Sequence, residues 1–81
     1  MDNIKLTVLS PESTLLDLMV GRVEFPGTMG RFVVLHDHAP LISSLGKGVI
    51  SYSSDGVSDE IPISSGFVRI RDNVVTACVE I

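Results

Sequence analysis

Tryptophan and glutamine are absent from this 81-residue chain, alanine occurs twice and cysteine once. One cysteine, Cys78, excludes an intramolecular disulfide and a cysteine-based zinc cluster, and it fits a reducing compartment. The shortage of alanine and glutamine removes residues that favour helices. Cations are scarce as well: six Lys and Arg face ten Asp and Glu, for a net charge of −4. A nucleic-acid binder needs a basic surface to displace counterions, and a membrane-surface binder needs a polybasic patch. The charge balance therefore argues against both. The longest apolar run, Phe32-Val33-Val34-Leu35, falls far short of the ~20 residues of a membrane-spanning helix. The first residues, Met1 to Thr7, contain no apolar stretch of the kind a secretory signal requires. The expectation is a soluble, cytosolic chain with no direct membrane insertion. At this length it forms one domain, residues 1–81, whose core is small because a short chain buries only about 60% of its unfolded surface.

What is abundant is β-branched. Eleven valines, seven isoleucines and four threonines make up 22 of the 81 residues. Such side chains lose rotamer freedom in helices and pack well on pleated sheets. Ile4, Leu6 and Val8 alternate with Lys5 and Thr7, the period of a strand with one buried face. Ser10-Pro11-Glu12-Ser13 has turn chemistry. Leu16, Leu18 and Val20 alternate next, with a helix over Leu15–Val20 as the competing reading. Gly21 then marks a bulge or tight bend before Val23 and Phe25 resume the alternation. Pro26-Gly27-Thr28-Met29-Gly30 is a strong turn that leaves Met29 exposed, and Phe32–Leu35 reads as a short buried strand. His36 to Pro40 is a loop, Leu41, Ile42 and Leu45 are apolar anchors, and Gly46-Lys47-Gly48 turns the chain again. Asp55-Gly56 and Asp72-Asn73 are two-residue hairpin turns. Pro62 requires an edge, a strand end or a bulge. Val68 and Ile70 face inward, as do Val75, Ala77 and Val79. The pattern predicts an all-β fold, an antiparallel sandwich or barrel of about 8–10 short strands.

Groups able to do chemistry are few. His36 and His38 would share a face on a strand, but a metal needs three or four ligands and no other histidine exists. Cys78, flanked by apolar strand residues, reads as an inert core residue. Gly27-Thr28-Met29-Gly30 has the spacing of a nucleic-acid backbone clamp, but it joins two strands of an acidic chain, so it reads as a turn. None of the ten serines sits in a Gly-x-Ser-x-Gly elbow. Arg69 and Arg71 share one strand face and read as solvated. No catalytic group, metal site or cofactor is expected, which points to binding or assembly.

The turns carry a resemblance. Pro26-Gly27-x-x-Gly30-x-Phe32-x-Val34-Leu35-x-x-His38-Ala39-Pro40-Leu41 resembles the signature stretch of the epsilon subunit of F-type ATP synthases. Ser10-Pro11-Glu12, Leu45, Gly48, Ser65-Gly66-Phe67-Val68 and Asn73-Val74-Val75-Thr76 agree with that family in order and spacing. The resemblance implies a flattened β-sandwich in the central stalk. It implies a non-catalytic rotor subunit that binds the gamma subunit and the c-ring and couples ring rotation to the catalytic head. The complex would lie at the cytoplasmic face of the bacterial plasma membrane. By the same resemblance, Gly27, Thr28, Met29, Gly30 and Arg31 contact the c-ring. Ser10, His38, Ala39, Pro40 and Leu41 lie at the gamma/c-ring interface, with His38–Leu41 expected beside the Gly27–Arg31 turn.

Three departures stand out. Histidine occupies the place of the family's usual proline at His36. Arg31 stands where the family commonly has an acidic residue, so the expected partner loop is acidic or neutral. The chain stops where the family continues into a C-terminal helical hairpin, so inhibition of the hairpin type is expected to be absent. The alternative is a small sandwich that binds a ligand or protein unrelated to ATP synthase.

Overall fold

Period-two alternation governs the chain, as the composition requires. A computed structural model describes residues 2–81, and Met1 lies outside them. Nine strands follow in order: β1 (Ile4–Leu9), β2 (Thr14–Val20), β3 (Arg22–Gly27), β4 (Gly30–Val34), β5 (Leu41–Leu45), β6 (Gly48–Ser54), β7 (Val57–Ile63), β8 (Ser65–Arg71) and β9 (Val74–Glu80). The described residues contain no helix, so Leu15–Val20 is a strand.

The strands form two layers. One runs β2-β1-β9-β8-β5, and the other holds β3, β6 and β7, with β4 on the free side of β3. Among the described residues, the only ladder pair between the layers is Gly27 with Leu45. The sheet thus curls over on itself, and alternate side chains of both layers fill the space between. Ile4, Leu6, Val8, Phe25, Ile50, Val68, Ile70 and Val75 are among the buried residues of this core. The rings of Phe25 and Phe32 lie 5.7 Å apart and tilted by 32°, a favourable aromatic arrangement.

One ladder departs from the antiparallel expectation. β1 and β9 run parallel, from Lys5 opposite Val74 to Leu9 opposite Cys78. The two-residue turns form as predicted. Asp55 and Gly56 have φ of 55° and 78°, and Asp72 and Asn73 have 52° and 62°. These are left-handed values whose twist matches that of hairpin strands. Pro62 lies on β7, an edge strand, where no ladder donor is missed. Gly21 makes the corner between β2 and β3 and donates its N–H to the Ser53 carbonyl at 2.9 Å.

Three expectations need correction. Phe32–Leu35 is not a buried run: Val34 is buried, Phe32 half-buried, and Val33 and Leu35 exposed, because β4 is an edge strand with one face to solvent. Ile42 is no core anchor but is 74% exposed, since it alternates with the inward Leu41 and Ser43. Cys78 is half-buried on the outer face of its layer, between the inward Ala77 and Val79. His36 and His38 lie in a loop, as expected, so the shared-face argument for a strand does not apply.

The register sorts the connections to two opposite ends. Ser10–Ser13, Thr28-Met29, Gly46-Lys47 and Ser64 lie at one. Gly21, Leu35–Pro40, Asp55-Gly56 and Asp72-Asn73 lie at the other.

Candidate functional site

The β3–β4 hairpin is tighter than its sequence suggested. Pro26 and Gly27 belong to β3 and Gly30 to β4, which leaves only Thr28 and Met29 in the loop. Gly27 pairs with Gly30. A Cβ at Gly27 would lie 2.6 Å from the Gly30 carbonyl oxygen and 3.0 Å from the Phe32 ring, so no side chain fits there. Gly30 has φ of 126°, a region side chains rarely adopt. The tip is fastened from the side by β5. Thr28 N–H donates to the Ser44 carbonyl at 3.1 Å, the Thr28 and Ser44 hydroxyls hydrogen-bond at 2.7 Å, and Gly46 N–H donates to the Pro26 carbonyl at 2.8 Å. From this base Met29 projects with 99% of its surface exposed.

Behind the tip lies an ionic cluster on the outer face of the β4-β3-β6 strands. Arg31 Nε donates to Glu24 Oε2 at 2.7 Å, and its Nη2 donates to the Val49 carbonyl at 3.0 Å. Arg22 Nη2 donates to the other Glu24 oxygen at 3.1 Å. The Arg31 hydrogen bond holds the Glu24 carboxyl below its ordinary value of 4.5; desolvation opposes this and Arg22 adds to it.

At the far end the Leu35–Pro40 loop is clamped to the β8–β9 turn. Asp37 N–H donates to Asn73 Oδ1 at 2.6 Å, and Asn73 Nδ2 donates back to Asp37 Oδ1 at 3.1 Å. Both residues hold left-handed φ, 63° and 62°. His36 Nε2 lies 3.3 Å from Asp37 Oδ1, and His38 Nδ1 lies 2.8 Å from the Ala39 carbonyl. His38–Leu41 therefore does not lie beside the Gly27–Arg31 turn. The four strand steps of β4, about 13 Å, separate the two. Ser10 is at the Thr28 end, where its N–H and hydroxyl bond the Ser13 carbonyl.

The outer face of the five-strand layer carries several exposed apolar side chains. Leu15, Met19, Ile42, Phe67 and Val74 are all exposed on it, Phe67 by 55%. A groove of about 580 Å³ crosses the Thr28 end of this face, lined by Leu9, Ser10, Pro11, Gly66, Phe67 and Cys78 among others. Lys5, Arg69 and Arg71, half of the chain's cations, stand on the same face. No group of three or more His, Cys, Asp or Glu residues is placed to hold a metal among the described residues.

Comparison with known proteins gives the family. A family profile described as ATP synthase, Delta/Epsilon chain, beta-sandwich domain matches residues 3–81. The chain belongs to this ATP synthase delta/epsilon β-sandwich family. It is 42% identical over 81 residues to the ATP synthase epsilon chain of Nitratiruptor sp., covering 99% of this chain and 63% of that one. It is 45% identical over 71 residues to the epsilon chain of Desulfitobacterium hafniense, covering 88% of this chain and 54% of that one. The chain thus spans little more than half the length of the curated relatives it matches. In fold it is similar to a chain of the Euglena gracilis mitochondrial ATP synthase structure of OSCP, F1 and c-ring. The TM-score is 0.90 at 24% identity, over 98% of this chain and 51% of that one. It is also similar to a chain of the Tetrahymena thermophila mitochondrial ATP synthase central stalk and c-ring, with TM-score 0.82 at 16% identity, over 98% and 64%.

Within this delta/epsilon sandwich Gly27, Thr28, Met29, Gly30 and Arg31 lie together at and just behind the braced hairpin tip. The structure divides the second group: Ser10 stands at one end, and His38, Ala39, Pro40 and Leu41 at the other. Sequence reasoning missed the outer face of the five-strand layer. Its signal was present in Ile42, Phe67 and Cys78, each out of phase with its buried neighbours in a strand of known alternation. The epsilon-chain matches leave the unrelated binding module without support.

Proposed function

We propose that this chain is the β-sandwich part of a central-stalk rotor subunit of an F-type ATP synthase, coupling c-ring rotation to the catalytic head. In this role it forms one domain over residues 1–81, belongs to the peripheral F1 portion at the cytoplasmic face of the bacterial membrane, and catalyses nothing itself. One observation carries the mechanical reading: the braced Thr28-Met29 tip and the apolar face of the five-strand layer are separate surfaces of one closely packed body. Two partners can hold such a body at once, and a packed interior transmits strain with little deformation. The tip, with Gly27 to Arg31, faces the c-ring. The face bearing Phe67 and Ile42, together with His38–Leu41 at its border, faces the gamma subunit. Ser10, at the rim of the groove and at the tip's end, stands where the two meet. The epsilon-chain relatives and the fold neighbours from central-stalk and c-ring structures support this reading.

The test is co-purification of the chain with gamma and the c-ring from the same organism. Met29→Ala is expected to weaken retention on the ring alone, and Phe67→Ser with Ile42→Ser retention on gamma alone. If a chain carrying all three substitutions still co-purifies with both partners at the wild-type level, the assignment is wrong.

A further inference from the structure

Arg31 is the one charged residue of the proposed ring-facing turn, yet its guanidinium is turned sideways across β3 and hydrogen-bonds within the chain. Register places it opposite Pro26, one step inside the Gly27–Gly30 pair. From there it reaches across β3 to Glu24 and on to the Val49 carbonyl of β6, so one side chain ties three strands together. Its head also packs near Gly48, where an added Cβ would lie 3.8 Å from Nη1. Its charge is partly offset inside the chain, because it shares the single Glu24 carboxylate with Arg22.

We propose that Arg31 is a positioning residue, which fixes the angle of the Thr28-Met29 tip through Glu24 and Val49 and does not itself meet the charge of the docking partner. This rests on the reading that the tip docks on the c-ring. It replaces the expectation that a cation here requires an acidic or neutral partner loop. A planar guanidinium offers donors in fixed directions, so it can hold a carboxylate and a carbonyl together. The ions are partly exposed, and ion pairs open to solvent add little to global stability. What the brace supplies is a fixed geometry, and fixed geometry lowers the ordering cost of binding.

A double-mutant cycle separates the two roles. Arg31→Gln, Glu24→Gln and the double variant are compared for affinity to a purified gamma–c-ring subcomplex over a range of salt concentrations. Thermal unfolding and amide exchange of residues 28–30 are followed in parallel. Each single variant is expected to weaken binding by about threefold to tenfold, with the double no weaker than either single. The salt dependence of binding is expected to stay as in the wild type, melting to shift little, and the tip amides to exchange faster in all three. Wild-type binding by Glu24→Gln overturns the proposal. So does a flattened salt dependence with Arg31→Gln, because loss of a direct interfacial charge changes that slope. Met29→Ala is the control for the underlying reading. If it binds as wild type, docking through the tip fails. If it weakens binding while neither Gln variant does, only the role of Arg31 fails.

Discussion

Three glycines within one corner of the sandwich should respond to the same substitution in three ways. At Gly27 a new Cβ would lie 2.6 Å from the Gly30 carbonyl oxygen, a backbone atom of the paired strand, and 3.0 Å from the Phe32 ring. Neither can yield without opening the hairpin. Overpacking of this kind costs about 1–3 kcal/mol, and a backbone obstacle puts Gly27→Ala in the upper half of that range. In a domain of this size each kcal/mol moves the melting temperature by roughly 4–8 °C, so a fall of roughly 10–20 °C is expected. Gly30 has no heavy atom within 4 Å of an added Cβ, but its φ is 126°. Gly30→Ala should therefore cost about 1–3 kcal/mol through strain alone. Gly46 meets only Pro26 O and the Thr28 methyl, both at 3.9 Å, and has no left-handed φ. Gly46→Ala should be neutral, or stabilising by about 0.4–1 kcal/mol through the unfolded chain. Thermal and urea unfolding followed by circular dichroism measure all three. A Gly27→Ala chain that melts within a few degrees of wild type, or a Gly46→Ala chain that melts as low as Gly27→Ala, refutes the steric account.

Other outcomes follow from single side chains. Met29→Ala should leave melting unchanged, because the side chain touches nothing, and weaken ring association about fivefold to a hundredfold by removing an anchor from an interface centre; equal affinity would exclude the tip as a contact. Burial first, and the nearby charge of Asp59 second, push the Tyr52 hydroxyl above its ordinary value of 10.0. Its contribution to stability is complete below pH 10 and is lost as pH rises through the raised value. Because Tyr52 is the sole tyrosine and tryptophan is absent, phenolate absorbance reports it directly, and a midpoint at or below 10.0 would contradict the burial argument. Glu24 is shifted the other way, so its contribution is present above pH 4.5 and is lost as pH falls through the depressed value. Glu24→Gln should flatten the acid limb of the stability curve, and an unchanged limb would contradict the shift. Asn73→Gly keeps the left-handed turn but removes both bonds to Asp37, so amides of the Leu35–Pro40 loop should exchange faster while those of β9 do not.

Strands with one buried face were readable because their period is unambiguous. Ile4, Leu6 and Val8, or Val75, Ala77 and Val79, can be placed only one way. The turns were readable where geometry admits few residues, as at Asp55-Gly56 and Asp72-Asn73. What failed was long-range placement. Nothing in the order of residues says that β1 lies beside β9, or that the two layers share a single ladder pair, because strand pairing is a property of the assembled sheet. The same limit applied to the site. Gly27 to Arg31 are neighbours in sequence and stayed together, whereas the position of His38 relative to Met29 depended on the direction of β4. Arg31 shows the limit in a side chain. Its identity was visible, but Glu24 and Val49 are 7 and 18 residues away, so its partners were not.

The parallel ladder between β1 and β9 bears on how the sandwich carries load. β1 begins at the Asp37 end and β9 finishes at the Thr28 end, side by side. A pull applied between those two points runs lengthwise along five paired positions and loads them together in shear. The antiparallel hairpins β6–β7 and β8–β9 would instead be peeled open one pair at a time if pulled at their free ends. Resistance to forced opening follows the unfolding barrier rather than the equilibrium stability. β1 and β9 are thus laid as a lap joint, and tension between the Asp37 end and the Thr28 end is borne along that seam.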